Sequence, residues 1–432
     1  MTSRRVIAYL GASFAVGVFH AFNSFTLPLW LAGFTPSYLV LGLLGNTRSF
    51  EGALVSPLVG WWSDRTWLGW LGRRRPFILV GGLVSALVLG LTPVLSRLPV
   101  PPVAAPLPAA AQVLLWPAAA IFAFTFLFNT MDDVHKALLA DITTPAERNR
   151  LSAWSVVVLM WGQVTILVLG YVLWPTAVGD AAFLAAAGLM GLGVLLTVGG
   201  VREPPPTVWR QARAVLAAPA EPWRDGRGPY RAAAVLCLVA FAYWSGVNAV
   251  LPLVSVYLRD ILGASVGEAQ LLPALLLLAT TLCALPAGWL GTRYGKRRVL
   301  ALGYAIMGVA ALLGLVVTTK GQGALVFLLA GVGNATSTVL TIPLLADLVP
   351  RQRMGMASGV LAASGSVAAP LASVVAGALA DAFGPRAIFA LMAAMVLLAL
   401  GLLPGTWTPP PATLPQASWP PPAADSGAPD IP

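Results

Sequence analysis

The residues best suited to chemistry sit where they are least expected. The segment FLFNTMDDVHKALLAD (126–141) ends a long apolar run yet carries Asp132, Asp133, His135, Lys136 and Asp141. A second apolar run holds Arg48 and Glu51, three residues apart and so on one helical face. Two carboxylates side by side and away from water resist ionising together. A group that takes up one proton and later releases it is what coupling to a proton gradient requires. Arg48 is a candidate counter-ion that competes with such a proton. The alternative is a static salt-bridge cluster that ties helices together. The string Asp-Asp-x-His also has the residue types of a metal site, but such sites need further ligands. The only other histidine is His20, so no metal is expected.

The elements that carry these groups must be membrane helices. Of 432 residues, 58% are hydrophobic and 10% charged, and mean hydropathy is +0.82. Soluble domains carry about a quarter charged residues. The apolar residues come in runs near or above the ~20 needed to span a bilayer as a helix, without the period-two alternation of a barrel. Twelve spans are expected, at 6–32, 37–62, 77–95, 114–140, 151–174, 181–201, 231–257, 266–290, 299–318, 324–349, 355–380 and 387–404. Arg4 and Arg5 precede a segment too long for a signal-peptide core, so the first is read as a retained span. Cys237 and Cys283 lie within apolar runs and form neither a disulfide framework nor a zinc pattern.

With the N-terminus placed in the cytoplasm, twenty lysines and arginines fall on the cytoplasmic side. Four, Arg97, Arg259, Lys320 and Arg386, fall opposite. That asymmetry obeys the positive-inside rule. It explains the net charge of +10 by topology, and no nucleic-acid partner is expected. Both termini are expected in the cytoplasm and the chain in the plasma (cytoplasmic, or inner) membrane, surrounded by lipid.

The chain also repeats itself. SPLVGWWSDRTWLGWLGRRR (56–75) returns as LPAGWLGTRYGKRR (285–298), and LLADITTPAERNR (138–150) as LLADLVPRQR (344–353). Each match lies six spans on, so both copies have the same orientation. The expected fold is therefore all-α and integral to the membrane, with twelve transmembrane helices in two pseudo-symmetric six-helix bundles. The bundles are expected at 1–201 and 231–405, joined by a cytoplasmic linker at 202–230. A Pro-rich, disordered tail is expected at 406–432.

The loop GWWSDRTWLGWLGRRRPFIL (60–79) resembles the signature loop of the major facilitator superfamily, Gly-x-x-x-Asp-Arg followed by Gly-Arg-Arg. Gly60, Asp64, Arg65, Gly72, Arg73 and Arg74 fit it. Its long spacer, together with KALLAD (136–141), is similar to the sucrose-type carriers of the glycoside–pentoside–hexuronide group. The resemblance implies proton-coupled sugar transport by alternating access. It also implies a gating role for that loop and Asp141, as a charge network bracing the two halves, with the start of the eleventh span near Gly355 facing Asp64. In the plant sucrose carriers an acidic residue on helix four is tied to proton coupling, and it aligns with Thr125. The helix-two carboxylates of the sodium-using melibiose branch align with Gly52 and Ser56, which favours protons here. No cofactor is expected beyond the proton as coupling ion.

A charge at the centre of a span costs roughly 2.5–3.5 kcal/mol on insertion scales, so such residues usually face the interior and function there. Taking Asp64 and Asp141 as the cytoplasmic boundary, Lys136 lies about 7 Å in, Asp132 about 13 Å, Asn129 about 18 Å, Glu51 about 20 Å and Arg48 about 24 Å. Lys136 and His135 are then expected to reach back to the edge. Asp132, Asp133, Glu51 and Arg48 are left as the proton-coupling candidates. Sugar-binding candidates are His20, Asn23, Asn129, Trp161, Gln163, Trp244, Asn248 and Asn334, with Ser24, Tyr243, Thr338, Ser364 and Ser366 nearby. Each alone is as readily an interhelical packing residue. The reading is a monomeric secondary transporter, not an enzyme, whose partner is a small-molecule solute, a disaccharide or glycoside. The alternatives are a proton-driven exporter of hydrophobic compounds and a non-transporting pigment-assembly factor.

Overall fold

A backbone removed from water must satisfy its own N–H and C=O groups, and long apolar runs do so as helices. The computed structural model describes residues 3–47, 51, 58–63, 65–143, 145–203, 228–349 and 354–406. Arg48, Gly52, Ser56, Asp64, most of the linker and the tail beyond 406 lie outside the described residues. Among the described residues there is no β-strand, only an isolated bridge between Leu68 and Gly72.

Among the described residues, eleven helices are long and apolar enough to cross a membrane. The remaining span, second in order, is seen as Tyr38–Gly45 and as helical residues at 47, 51 and 58–63. The third is Arg75–Leu95, the fourth Ala109–Ile142, the fifth Pro145–Leu173 and the sixth Asp180–Gly200. The ninth to twelfth are Lys296–Val316, Lys320–Leu348, Met354–Phe383 and Ala387–Leu402.

Three spans depart from single α-helices. The first passes from Ser3–Ala21 through a π-helical turn, Phe22–Thr26, into Leu27–Leu31. The seventh was expected to be continuous over 231–257. It breaks instead at Leu251–Leu253, where Pro252 has no N–H to continue the ladder, and resumes as Val254–Leu262. The eighth opens with the short helix Val266–Leu271, closed by a Ser265–Glu268 capping box, and steps past Pro273 into Ala274–Tyr294.

The packing repeats as the sequence does. The first span packs on the fifth and sixth as the seventh packs on the eleventh and twelfth. The third packs on the fourth and sixth as the ninth packs on the tenth and twelfth. Where the first and fifth cross, Gly17 and Gly162 bring the backbones together: a Cβ at Gly162 would strike the Phe14 carbonyl and one at Gly17 that of Leu159. Between halves, the second span meets the eleventh and the fifth meets the eighth. These cross-half contacts concentrate on the short segments 38–45 and 266–271, at the end of the molecule away from the arginine-rich loops.

Candidate functional site

Between the halves lies a cavity of about 650 Å³. The π-helical turn of the first span presents Asn23 and Ser24 to it, with His20 one turn before. A π turn widens a helix and frees local geometry, and such turns often mark functional sites. Gln163 enters from the fifth span. From the other half come Trp244 and Asn248 just ahead of the Pro252 break, and Asn334 and Thr338 of the tenth span. Among the described lining residues none is Asp, Glu, Lys or Arg, and His20 is the one with a readily titratable side chain.

The amides are held in place. Asn248 Nδ2 donates to the Trp244 carbonyl at 2.9 Å. Asn334 accepts from the Tyr243 hydroxyl at 3.0 Å and donates to Thr280 at 3.2 Å. Asn23 Nδ2 donates to the Gly45 carbonyl at 3.0 Å, while its Oδ1 is buried without a partner. Two expected wall residues are elsewhere. Trp161 is 65% exposed and outside the lining, because the fifth span turns Gly162 and Gln163 inward and Trp161 away. Asn129 is buried within the N-terminal half and does not border the cavity.

The charged cluster of the fourth span also stands off the cavity. Asp132 is buried, but Lys136 Nζ lies 2.8 Å from its carboxylate and 3.9 Å from that of Asp133. Among the described residues its ion-pair partner is one helical turn along; the expected counter-ion, Arg48, lies outside the described residues. Lys136 extends outward, with 66% of its side chain exposed. His135 does not reach an edge as expected. It is buried against the first span, stacked on Tyr9 at 4.3 Å with Nε2 3.1 Å from the Ser13 hydroxyl. Helical spacing explains this, since His135 faces the first span while Lys136, 100° further round, does not. Glu51 differs from the aspartates. It sits beside Thr125, which also meets Thr47 at 3.3 Å, and its Oε2 is buried without a hydrogen-bond partner.

Among the described residues the arginine-rich loop forms a network within the N-terminal half. Arg73 and Arg74 both reach Asp141 Oδ2, at 2.6 and 3.0 Å, and Arg74 also donates to Ser63. Arg65 lies over the Trp61 ring, and a Cβ on Gly60 would meet open space. Sequence reading missed Glu203. Its carboxylate accepts the backbone N–H groups of Arg73, Arg74 and Arg75 at 2.8, 2.9 and 2.9 Å, capping the third span. Gly72, at φ +80°, makes room for it, since a Cβ there would fall 2.9 Å from that carboxyl group. The repeat keeps half of this design: Lys296 pairs with Asp347 at 2.7 Å, and Arg297 bonds Thr406. The partners described for Arg73 and Arg74 belong to the N-terminal half, and Asp64, on which the expected brace between halves centres, lies outside the described residues.

The halves are latched at the opposite end, by residues that sequence reading did not single out. Asp381 of the eleventh span accepts from the Ser37 hydroxyl and the Tyr38 and Leu39 N–H groups, at 2.6, 2.6 and 3.1 Å, capping the second span across the interface. Gln270 is fully buried. Its Oε1 accepts from Thr26 at 2.8 Å and from the Trp174 indole at 3.2 Å. Glycines let these backbones meet: a Cβ on Gly42 would strike the Ser373 carbonyl, and one on Gly377 that of Tyr38. A Gln in an apolar run was the one visible signal for Gln270; for Asp381 there was none beyond a carboxylate near a helix end.

The two bundles, the cavity between them and the duplicated arginine loops define a family. A family model for the Major Facilitator Superfamily matches residues 8–256 and 236–429. The chain belongs to that superfamily. It is a multi-pass membrane transporter of a small-molecule solute, not an enzyme. Among curated proteins, it is similar to an uncharacterized MFS-type transporter of Methanocaldococcus jannaschii, 26% identical over 155 residues. That match spans 36% of this chain and 40% of the relative. Among solved structures it is similar in fold to a D-xylose–proton symporter (TM-score 0.70, 17% identity, 92% and 96% of the two chains). It is also similar to a bacterial homolog of the human lysosomal transporter Spinster in an inward-facing, occupied conformation (TM-score 0.68, 14% identity, 94% and 98%). A nucleoside transporter is comparably close (TM-score 0.67, 11% identity, 94% and 100%).

Proposed function

We propose that the chain is a proton-coupled symporter of a neutral sugar, a disaccharide or glycoside, of the sucrose type, and that it works by rocking one six-helix half against the other. The observation that carries this reading is the cavity. Asn23, Gln163, Asn248 and Asn334 offer hydroxyl-pairing amides, Trp244 and Phe19 offer flat faces, and none of the described lining residues is Asp, Glu, Lys or Arg. A D-xylose–proton symporter of similar fold supports the pairing of such a cavity with protons. Glu51 is the favoured coupling group. Its unpartnered, buried Oε2 is costly as a carboxylate oxygen and far less so on a neutral acid. Asp132 and Asp133, already engaged by Lys136, take a supporting role. With the arginine-rich loops in the cytoplasm, the latched end is the outer gate and this state faces inward, in the plasma membrane with both termini inside.

The test is uptake into proteoliposomes with an imposed proton gradient, across a panel of neutral mono- and disaccharides and glycosides. Gradient-dependent accumulation of at least one is expected. Accumulation of none overturns the reading. The second reading, a proton-driven exporter of hydrophobic compounds, draws on the many apolar residues of the cavity wall. It predicts proton antiport without sugar uptake.

A further inference from the structure

The duplication extends into the helices that lead to the arginine-rich loops. Gly60-Trp61-x-x-x-Arg65 at the end of the second span returns as Gly288-Trp289-x-x-x-Arg293 at the end of the eighth. Four residues make about one helical turn, so each arginine can fold back over its indole. The Arg65 guanidinium stands 4.1 Å from the centre of the Trp61 ring. That of Arg293 stands 5.3 Å from Trp289 and 5.5 Å from Tyr294. The two indoles are 59% and 57% exposed, and both arginines are exposed. Arg73 and Lys296 are paired with carboxylates, whereas among the described residues neither Arg65 nor Arg293 has one.

The face that leads to each pair is apolar and open. On the eighth span Leu278, Leu282 and Leu285 are exposed and fall on one stripe with Trp289. From Leu278 to Trp289 that stripe rises about 16 Å, close to half the hydrocarbon thickness of a bilayer. On the second span the exposed Leu58 precedes Trp61 and Arg65 on the same face. Beside it Trp62 packs edge-on against Phe77, at the head of the exposed stripe Val80, Val84 and Leu87 of the third span. None of these residues lines the cavity, so both stripes belong to the outer, lipid-facing surface. The order along each stripe is alkyl, indole, guanidinium. A phospholipid has the same order in its acyl chain, glycerol esters and phosphate. Tryptophan favours the membrane interface, and a guanidinium is a planar, weakly hydrated donor suited to phosphate.

We propose that Trp61–Arg65 and Trp289–Arg293 form two related sites for an anionic phospholipid, in the leaflet on the arginine-rich side. In each, the guanidinium pairs with the headgroup phosphate, the indole lies at the glycerol level and an acyl chain runs along the exposed stripe. A net negative headgroup fits better than a zwitterionic one, because no carboxylate is described beside either arginine to take a headgroup ammonium. The proposal does not depend on which solute the cavity takes.

The test is native mass spectrometry of the full chain, delipidated in detergent and titrated with phosphatidylglycerol or phosphatidylcholine of matched acyl chains. Two phosphatidylglycerol molecules are expected to bind ahead of any phosphatidylcholine. Arg65→Gln and Arg293→Gln should each weaken one of the two about fivefold, and the double variant both. Trp61→Leu and Trp289→Leu keep the stripe apolar and should weaken the same sites to a smaller extent. Should either arginine variant fail to fold, the variants of the other half carry the comparison. Arg5→Gln removes an exposed arginine of the first span that lies over no ring, and it should leave both constants unchanged. Inorganic phosphate in excess should not displace the lipid, since it has no acyl chain to lie on the stripe. Equal binding of the two lipids, or unchanged constants in the folded double variant, overturns the proposal. So does displacement by inorganic phosphate, or an equal loss in Arg5→Gln, which would make the effect one of general charge. Unchanged binding in both tryptophan variants overturns the stacked pair as the binding unit.

Discussion

Gln270→Leu should swing the molecule toward the state open at its latched end. Gln270 belongs to the C-terminal half, yet its fully buried Oε1 is the acceptor for Thr26 and Trp174 of the other half. Leucine keeps much of the volume and removes the acceptor. The Thr26 hydroxyl can turn to a carbonyl of its own helix, as threonines in helices do. The Trp174 indole N–H has no such recourse, and a buried unsatisfied donor costs about 1–3 kcal/mol. In the open state these groups separate and meet water, so the substitution costs little there. A difference of about 2 kcal/mol moves the equilibrium about thirtyfold. The assay is the distance between spin labels at Ala177→Cys and Gly321→Cys, both exposed near the latched end, with Cys237 and Cys283 replaced by serine. A longer-distance population should grow. Gly170→Ala gives an independent perturbation, since its Cβ would fall 2.5 Å from Gln270 Oε1 and 3.2 Å from the indole nitrogen. If neither variant changes the distance distribution, Gln270 is not a latch and the reasoning fails.

Other expectations follow from the same geometry. Glu51→Gln should abolish gradient-driven accumulation while preserving substrate counterflow, measured in parallel in proteoliposomes. Asp132→Asn should leave more than half of the accumulation, because Lys136 is mostly exposed and the pair is partly screened; the reverse pattern would return coupling to the aspartates. Glu203→Ala removes the acceptor of three backbone N–H groups at the start of the third span and should cost about 1–2 kcal/mol, read as a lowered Tm in detergent. Asn248→Ala should raise the KM for solute by tenfold or more, whereas Trp161→Ala should change it less than twofold.

The fold was legible because its determinants are local and repeated. Apolar run length gives the spans, cation placement gives their alternation, and the Gly72–Arg75 loop with its echo at Gly295–Arg298 gives the two halves. The site was legible only where one helix supplies its own geometry. Asn23, within one turn of His20, and Asn248, a polar residue in the seventh span, were named as candidates from the chain alone, and both line the cavity. Trp161 and Gln163 show the limit: two residues apart, they are about 200° apart on the helix, and nothing local says which faces the other half. Depth arithmetic set Asp132 along its helix without naming Lys136, one turn along and 2.8 Å away, as a partner, because a residue one turn along competes with one on a neighbouring span.

What the sequence hid altogether are the polar contacts made between distant spans, and there is a physical reason for it. Gln270, Asp381 and Glu203 each satisfy backbone or side-chain donors on a different span, far away in the chain, and each could as well be a polar residue near a helix end. Two of the three act between halves. An interface that must open cannot be held by a large apolar contact, because exposing it would cost far more than a solute can return. Short helix ends capped by one carboxylate, a single buried amide, and glycines at Gly42 and Gly377 make a contact that is specific in register yet worth only a few kcal/mol. Such a contact is within the range that solute binding can reverse. The residues least marked in the sequence are therefore the ones on which the balance between states should depend most.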